Sequence, residues 1–371
     1  MKFSCEKAQL LSAITVTSKV ASAKSAVPAL EGLLLQAERL LKITGYDLKT
    51  GIKTQIPAEV TAPGSIVLNA RLFGEIIRKL PDDIVTVAVA EDSMATITCG
   101  PSLFNIPGTA AKDYPELPSV EGENSISIPQ NTLKRMIAET IFAVSNNESN
   151  PIHTGSLFEL GGNTLTIVSV DGFRLALRRE TLQDSNMDDC SFVVPGSALG
   201  EVEKIALDSE EKVTLTLGEK HILFSIEDTV VISRRIEGNF LNWKQVIPQS
   251  NPIQLMLEKR GMISAVERVS LIINEQLKSP VRCVFSKDTV GIYTATALGK
   301  ASDSCKIAGN GNDLEIGFNN KYLIDALKAA PADMVRISLG TSVSPCVIEP
   351  ADENKDFCYL VLPVRLKAGE S

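Results

Sequence analysis

The segments "ISIPQNTLKRMI" (126–137) and "FVVPGSALGEVE" (192–203) share one grammar: apolar, any, apolar, proline, then leucine at the eighth position. Without the proline requirement, four more copies appear. Counting from the first apolar residue, the pattern asks for apolar side chains at offsets 0, 2, 7 and 11. It is met by Phe3, Cys5, Leu10, Ile14; by Ile66, Leu68, Phe73, Ile77; by Ile126, Ile128, Leu133, Ile137; by Leu255, Leu257, Met262, Val266; and by Ile316, Phe318, Leu323, Leu327. The copy at Phe192, Val194, Leu199 departs only at offset 11, where Glu203 stands beside Val202. Offsets 0 and 2 lie on one face of a strand, and offsets 7 and 11 on one face of a helix, so each copy reads as strand then helix. At offset 3 stand Glu6, Asn69, Pro129, Pro195, Glu258 and Asn319. All are suited to a helix N-terminus, where a missing N–H, a capping side chain or a carboxylate is favoured.

Short apolar runs broken by Gly, Asn, Asp or charged pairs follow each helix, as in "SLFELGGNTLTIVSVDGFRLALRRE" (156–180). These read as strands joined by turns. The unit is therefore βαβββ, about 60 residues long, and two units make a comfortable domain. Tyr114 and Trp243 each precede a proline and a polar stretch, and the boundaries fall at 1–124, 125–251 and 252–371. The expected fold class is α+β, with three similar domains of two βαβββ units each. Packed side by side, such repeats place their helices on one surface and their strands on the other.

The chain of 371 residues carries a formal charge of −8, is 44% apolar, and has one tryptophan. Its N-terminus, "MKFSCEKAQLL", has charges where a signal peptide is apolar, and no segment reaches the ~18 apolar residues of a membrane span. A cytoplasmic protein without membrane association is expected. Seven cysteines, scattered and never spaced C-x-x-C, argue against a disulfide framework and a zinc site and read as reduced, mostly buried thiols. Two histidines 68 residues apart, His153 and His221, supply an imidazole mechanism poorly. The G-x-G of "AGNGND" (308–313) reads as a turn, and Asp171-Gly172 as a hairpin loop. No catalytic, cofactor or metal site is expected.

Charge is distributed unevenly. Offsets 3 to 13 of the six units hold twelve lysines and arginines against eight carboxylates, a net of +4 that leaves −12 elsewhere. A mildly basic helical face opposite an acidic strand face suits a phosphate backbone without base reading. A repeat array also leaves open strand edges, which head-to-tail pairing with another copy would close into a ring.

The chain ends on "CYLVLPVRLKAGES" (358–371), apolar almost to its last residue. The plain expectation is a last core strand. The opening "MKFSCEKAQLLSAI", "TGYDLKTGI" (44–52), "DGFRLAL" (171–177), "EGNFLNWKQVIP" (237–248) and "YLVLPVRL" (359–366), over the sixfold repeat, resemble the bacterial β sliding clamps, the β subunits of DNA polymerase III. That resemblance implies a head-to-tail homodimeric ring, helices inside and sheets outside, closed around double-stranded DNA without sequence specificity. It implies a non-enzymatic processivity factor without cofactors, nucleoid-associated and opened by an ATP-dependent clamp loader. Its partners would be the replicative DNA polymerase and repair and translesion polymerases, which dock through short linear motifs of the type Gln-Leu-x-Leu-Phe.

The walls of that docking groove correspond to His153, Val170, Gly172, Phe173, Arg174, Leu175, Leu241, Gln245, Val246, Val343, Leu360, Leu362, Pro363, Val364 and Arg365, with Arg174 and Arg365 at the rim. The apolar chain end is thus expected to line a groove. Phe173 stands where a histidine is common and Leu241 where a proline is common, departures that bear on pocket shape and partner preference. Gly196 and Ser197 replace commonly basic residues. DNA contacts are expected from Lys24, Arg71, Arg78, Lys134, Asn147, Lys321 and Tyr322, and the dimer interface from Phe104 and Ile106 meeting Leu271 and Ile272. The alternative is a protein-only interaction scaffold that uses the same groove without encircling DNA. "KAGES" (367–371) has no assigned role.

Overall fold

The computed structural model of the chain describes residues 1–22, 24–120, 124–183, 188–274, 279–352 and 354–366, so "KAGES" lies outside the described residues. The first repeat comprises β1 (Lys2–Glu6), α1 (Lys7–Thr17), β2 (Gly32–Ala37), β3 (Leu41–Tyr46), β4 (Thr50–Ile56) and a short extra strand β5 (Glu59–Ala62). The second is β6 (Gly64–Asn69), α2 (Ala70–Lys79), β7 (Ile84–Val89), β8 (Met94–Cys99) and β9 (Ser102–Pro107). The third is β10 (Ser125–Pro129), α3 (Gln130–Ala138), β11 (Gly155–Gly161), β12 (Thr164–Val170) and β13 (Arg174–Thr181). The fourth is β14 (Cys190–Pro195), α4 (Gly196–Ile205), β15 (Lys212–Leu217), β16 (His221–Ile226) and β17 (Thr229–Arg234). A one-turn helix, α5 (Trp243–Val246), precedes β18 (Ile253–Glu258), α6 (Lys259–Ser270), β19 (Val281–Thr296) and β20 (Gly299–Phe318). The chain continues through α7 (Asn320–Ala329), β21 (Met334–Leu339), β22 (Cys346–Pro350) and β23 (Phe357–Val361).

All six expected strand-to-helix starts are present, and every apolar side chain that met the pattern is buried. In the fourth repeat Val202 takes the buried place that Glu203 does not fill. Three of the offset-3 side chains cap their helices: Asn69 accepts from Leu72 N, Glu258 from Gly261 N and Asn319 from Tyr322 N. Such caps satisfy amides that the first helical turn leaves unpaired, worth about 1 kcal/mol each. Glu6 makes no side-chain cap.

The chain divides into two compact units, Met1–Lys134 with Gly200–Arg235, and Arg135–Gln183 with Asp188–Leu199 and residues from Ile236 onward. The first contains a five-stranded sheet ordered β5-β1-β7-β8-β9 and an eight-stranded sheet ordered β10-β15-β16-β17-β4-β3-β2-β6. The second contains one ten-stranded sheet, β14-β11-β12-β13-β23-β22-β21-β18-β20-β19. Within it β23, the last strand, is central: it pairs with β13 on one side and β22 on the other. Strand β23 is buried along its whole length.

Two expectations are corrected. "AGNGND" does not end a strand. It kinks β20, where Gly309, Asn312 and Asp313 take positive φ values of 124°, 55° and 55°, a conformation that Gly, Asn and Asp tolerate. The third strand of the fifth repeat therefore runs on into the opening strand of the sixth. The boundary segment 241–252, read as an aromatic, a proline and then polar linker with no helix, folds at its start into α5 and buries Trp243.

Candidate functional site

Strands β11, β12, β13, β23 and β22 present one continuous apolar face. The register aligns Leu157 with Val168, Val168 with Leu177, Val170 with Leu175, Leu175 with Leu360, and Leu360 with Val347. Trp243 of α5 packs on this face together with Leu157, Val168, Val170, Leu175, Leu177, Cys358 and Leu360. A single helical turn is too short to cover the whole face. What it leaves open is a small apolar cavity of about 70 Å³ lined by His153, Val170, Gly172, Arg174, Leu175, Leu241, Val246, Leu360 and Leu362. All nine are among the groove residues expected from the sequence.

The chain end thus does both things considered for it. Leu360 belongs to the buried β23, while Leu362, just past the strand, reaches the cavity and is held there by its amide bonding to the Phe173 carbonyl at 2.9 Å. Of the other expected wall residues, Gln245, Val343 and Arg365 are exposed and Pro363 is half-buried, all outside the cavity lining. Val364 is also outside it and bonds through its amide to Gly317 O at 2.8 Å. His153 stacks edge-on against Phe240 at 5.7 Å and shares its Nδ1 with Asn150 Nδ2 at 3.1 Å. Burial lowers its pKa, partly offset by Asp171, so the imidazole meets the cavity uncharged at neutral pH.

Arg174, expected at the rim, lines the cavity with its charge already paired. Its Nε bonds Asp171 Oδ2 at 2.9 Å, its Nη1 bonds Asp325 Oδ2 at 2.7 Å, and its guanidinium lies 4.5 Å from the centre of the Tyr322 ring. Asp171 also accepts from the amides of Phe173 and Arg174, and Gly172 takes a φ of 90°, so the β12–β13 hairpin loop is closed by Asp171 as expected. The exposed Phe173 stacks on Tyr322 at 6.0 Å. Beyond this pair lies a polar cleft of about 670 Å³ lined by Asn146, Asn147, Asn319, Asn320, Lys321 and Tyr322, among others. Three residues assigned to DNA contact, Asn147, Lys321 and Tyr322, are therefore brought together beside the groove. Asp325 was missed because its ionic partner lies 151 positions away.

The helix cations are largely engaged. Lys7 pairs with Asp82, Arg71 with Glu75, Lys134 with Asp208, Arg135 with Glu180, Lys204 with Glu201, Arg260 with Asp333, Arg268 with Asp303 and Lys328 with Glu267. Of the cations expected to contact DNA, Lys24, Arg78 and Lys321 are exposed without a carboxylate partner, as is the neighbouring Lys79 of α2. No helix of the described residues is long and apolar enough to cross a membrane, and no group of His, Cys, Asp and Glu among them could hold a metal ion.

The family models for the N-terminal, central and C-terminal domains of the DNA polymerase III beta subunit match residues 1–118, 127–242 and 244–365. The chain belongs to this family. The Beta sliding clamp of Bacillus subtilis is 32% identical over 98% of this chain and 100% of its own length, and that of Halalkalibacterium halodurans is 31% identical with the same coverage. A putative DNA polymerase III beta subunit from Eubacterium rectale superposes with a TM-score of 0.93 at 34% identity, covering 98% of this chain and 99% of that one. The DNA polymerase sliding clamp of Bacillus subtilis gives 0.93 at 30% identity, covering 99% and 100%.

In this β-subunit chain the residues expected at a dimer interface divide in two. Strand β9 is an open edge of its sheet, and Leu103 and Phe104 on it are exposed, but Ile106 is buried in the core of the first unit. Ile106 shares a strand face with Phe104 but is packed within the core of that unit, so its side chain is not offered to a partner, a correction to the expected contact. In the second unit Leu271 is 83% exposed just after α6. Ile272 is half-buried, its carbonyl accepting from Thr296 Oγ1 at 3.0 Å.

Proposed function

We propose that the chain is the processivity clamp of a bacterial replicative DNA polymerase: a head-to-tail homodimeric ring, helices inward, that encircles duplex DNA and slides on it. The family membership across three consecutive domains carries this reading. The domains run 1–124, 125–251 and 252–371, and the protein performs no chemistry of its own. The β12–β13–β23 groove receives short apolar motifs of the type Gln-Leu-x-Leu-Phe. Through it dock the polymerase, the ATP-dependent loader that opens the ring, and repair and translesion polymerases, all at the nucleoid. The small apolar cavity supports this assignment, since a buried apolar anchor with a polar surround is how short peptides gain affinity.

Exposed Lys24, Arg78 and Lys321, with Asn147 and Tyr322, are the non-specific DNA contacts; Arg71 and Lys134 contribute only by exchanging a carboxylate for a phosphate. Exposed Leu103, Phe104 and Leu271, at an open strand edge and beside α6, form the dimer contact. One observation favours a second reading, a protein-only scaffold: eight of the twelve helix cations counted in the sequence already hold carboxylates. Loading onto nicked circular DNA with loader and ATP separates the two. A clamp is retained on the circle and lost when the DNA is linearised, whereas equal retention on both rules out encirclement.

A further inference from the structure

Helix α5 supplies one wall of the groove, Val246, and the segment entering it supplies another, Leu241. Yet α5 is a single turn with no side-chain N-cap, a length that does not hold a helical conformation by itself. Something in the fold must fix it. The same sheet face that forms the cavity floor carries, at its far end, a lateral row of polar residues: Glu159 of β11 pairs in register with Thr166 of β12, and Thr166 with Arg179 of β13. Trp243 lies between the two ends of that row. Its Nε1–H donates to Glu159 Oε2 at 3.2 Å, and the Arg179 guanidinium sits 5.4 Å from its ring centre. The second oxygen of the same carboxylate, Oε1, accepts from Lys244 Nζ at 2.5 Å, and that ammonium is 5.1 Å from the indole centre.

We propose that Glu159 is the positioning residue of the docking groove: its two oxygens hold consecutive residues of α5, Trp243 and Lys244, and so fix where Leu241 and Val246 stand relative to Leu175 and Leu360. Glu159 touches no bound peptide. It acts by preorganisation, since a wall already in place spares the peptide the cost of ordering it. This rests on the groove reading above and extends it to a residue outside the cavity.

The test uses the full-length protein and a synthetic peptide containing Gln-Leu-Ser-Leu-Phe, with affinity read by calorimetry. Glu159→Ala removes both bonds. The dissociation constant is expected to rise roughly tenfold, the equivalent of one or two lost hydrogen bonds, and the emission of Trp243 to shift to the red as its indole loosens. Glu159→Gln keeps an acceptor for the indole N–H and is expected to restore affinity to within about threefold. That rescue would not follow if the carboxylate were a general stability element. Should Glu159→Ala fail to fold by circular dichroism, Lys244→Met carries the test, because the lysine is exposed. A weakening of about threefold supports the proposal, and unchanged affinity overturns it. Leu362→Ala separates the two levels. If it weakens binding while Glu159→Ala does not, Glu159 is not a positioning residue and the groove stands. If neither changes affinity, the groove assignment fails and the role of Glu159 with it.

Discussion

Arg174 Nη1 lies 2.7 Å from Asp325 Oδ2, joining the β12–β13 hairpin to α7, while Arg174 Nε lies 2.9 Å from Asp171 Oδ2 within the hairpin. The Arg174 side chain is 9% exposed, so removing it strands two carboxylates in a partly desolvated place. Arg174→Ala is expected to lower the unfolding free energy by about 3 kcal/mol, measured as a shift of the urea midpoint with an unchanged slope. Arg174→Lys should recover only part of this, because a point charge cannot hold both carboxylates and stack on Tyr322 together. A loss below about 0.5 kcal/mol would mean that the arginine is a solvated rim charge after all.

The contrast between Arg174 and Leu362 shows which parts of the site a sequence can carry. Leu133 and Ile137, or Leu323 and Leu327, declare their burial locally, because helix and strand periods repeat within a few residues. The six strand-to-helix starts were legible for that reason, and so was the apolar character of the chain end. Ionic partners carry no such period: nothing near Arg174 announces Asp325, and nothing near Trp243 announces Glu159. Ile106 was misplaced for a subtler reason. Phe104 and Ile106 are both apolar and share one face of β9, so strand period cannot separate them; only the packing of the core over Ile106 and not over Phe104 does. The kink in β20 was read as a turn because Gly, Asn and Asp mark positive φ without saying whether the chain reverses.

Stability should depend on pH through Glu139, next to the C-terminal end of α3. Burial pushes its carboxyl up to about 7, an effect that the guanidinium groups of Arg178 and Arg135 oppose and that Glu180 and Asp356 reinforce. The folded pKa lies above the unfolded one, so the folded state binds the extra proton. The contribution is present in full below pH 4.5 and is lost as pH rises through 7. Arg178 Nε, 3.2 Å from Glu139 Oε2, keeps the carboxyl from rising further, and the loss is on the order of 3 kcal/mol. Glu139→Gln should flatten the melting temperature between pH 5 and about 8. An unchanged pH profile in this variant would place the titration elsewhere.

Assembly separates the exposed residues of β9 from the buried one. Leu271→Asp, alone or with Phe104→Asp, is expected to give a folded monomer by light scattering, because both side chains are exposed in the single chain and a charge there costs nothing until a partner covers it. Ile106→Ala should act differently, opening a core cavity worth about 3 kcal/mol and lowering thermal stability. A dimer that survives Leu271→Asp at micromolar concentration would move the interface away from α6.

DNA contact should rank by how free each cation is. Arg78→Ala and Lys321→Ala are each expected to weaken association with duplex of any sequence and to reduce the salt slope by about 0.9. Lys134→Ala and Arg71→Ala should do less, since Asp208 and Glu75 already neutralise those side chains. If all four variants behaved alike, the ion pairs would have no bearing on the DNA surface.

Peptide affinity follows from the apolar side chains that the groove as a whole can cover. A Gln-Leu-x-Leu-Phe motif would bury two or three apolar side chains worth roughly 2 kcal/mol each, with a few hydrogen bonds near 1 kcal/mol each. After the cost of association this corresponds to a dissociation constant on the order of micromolar. Because Trp243 shares its hydrophobic cluster with Val170, Leu175 and Leu360, its emission should change as the peptide enters. Leu362→Ala removes cavity wall without touching the buried β23, and should weaken the peptide tenfold or more at unchanged melting temperature. Val364→Ala should change affinity less than about threefold, since only its amide is engaged, with Gly317. Equal losses from the two would mean that the groove continues past the chain's last bend toward Arg365, and that the cavity at Leu362 is only its deepest point.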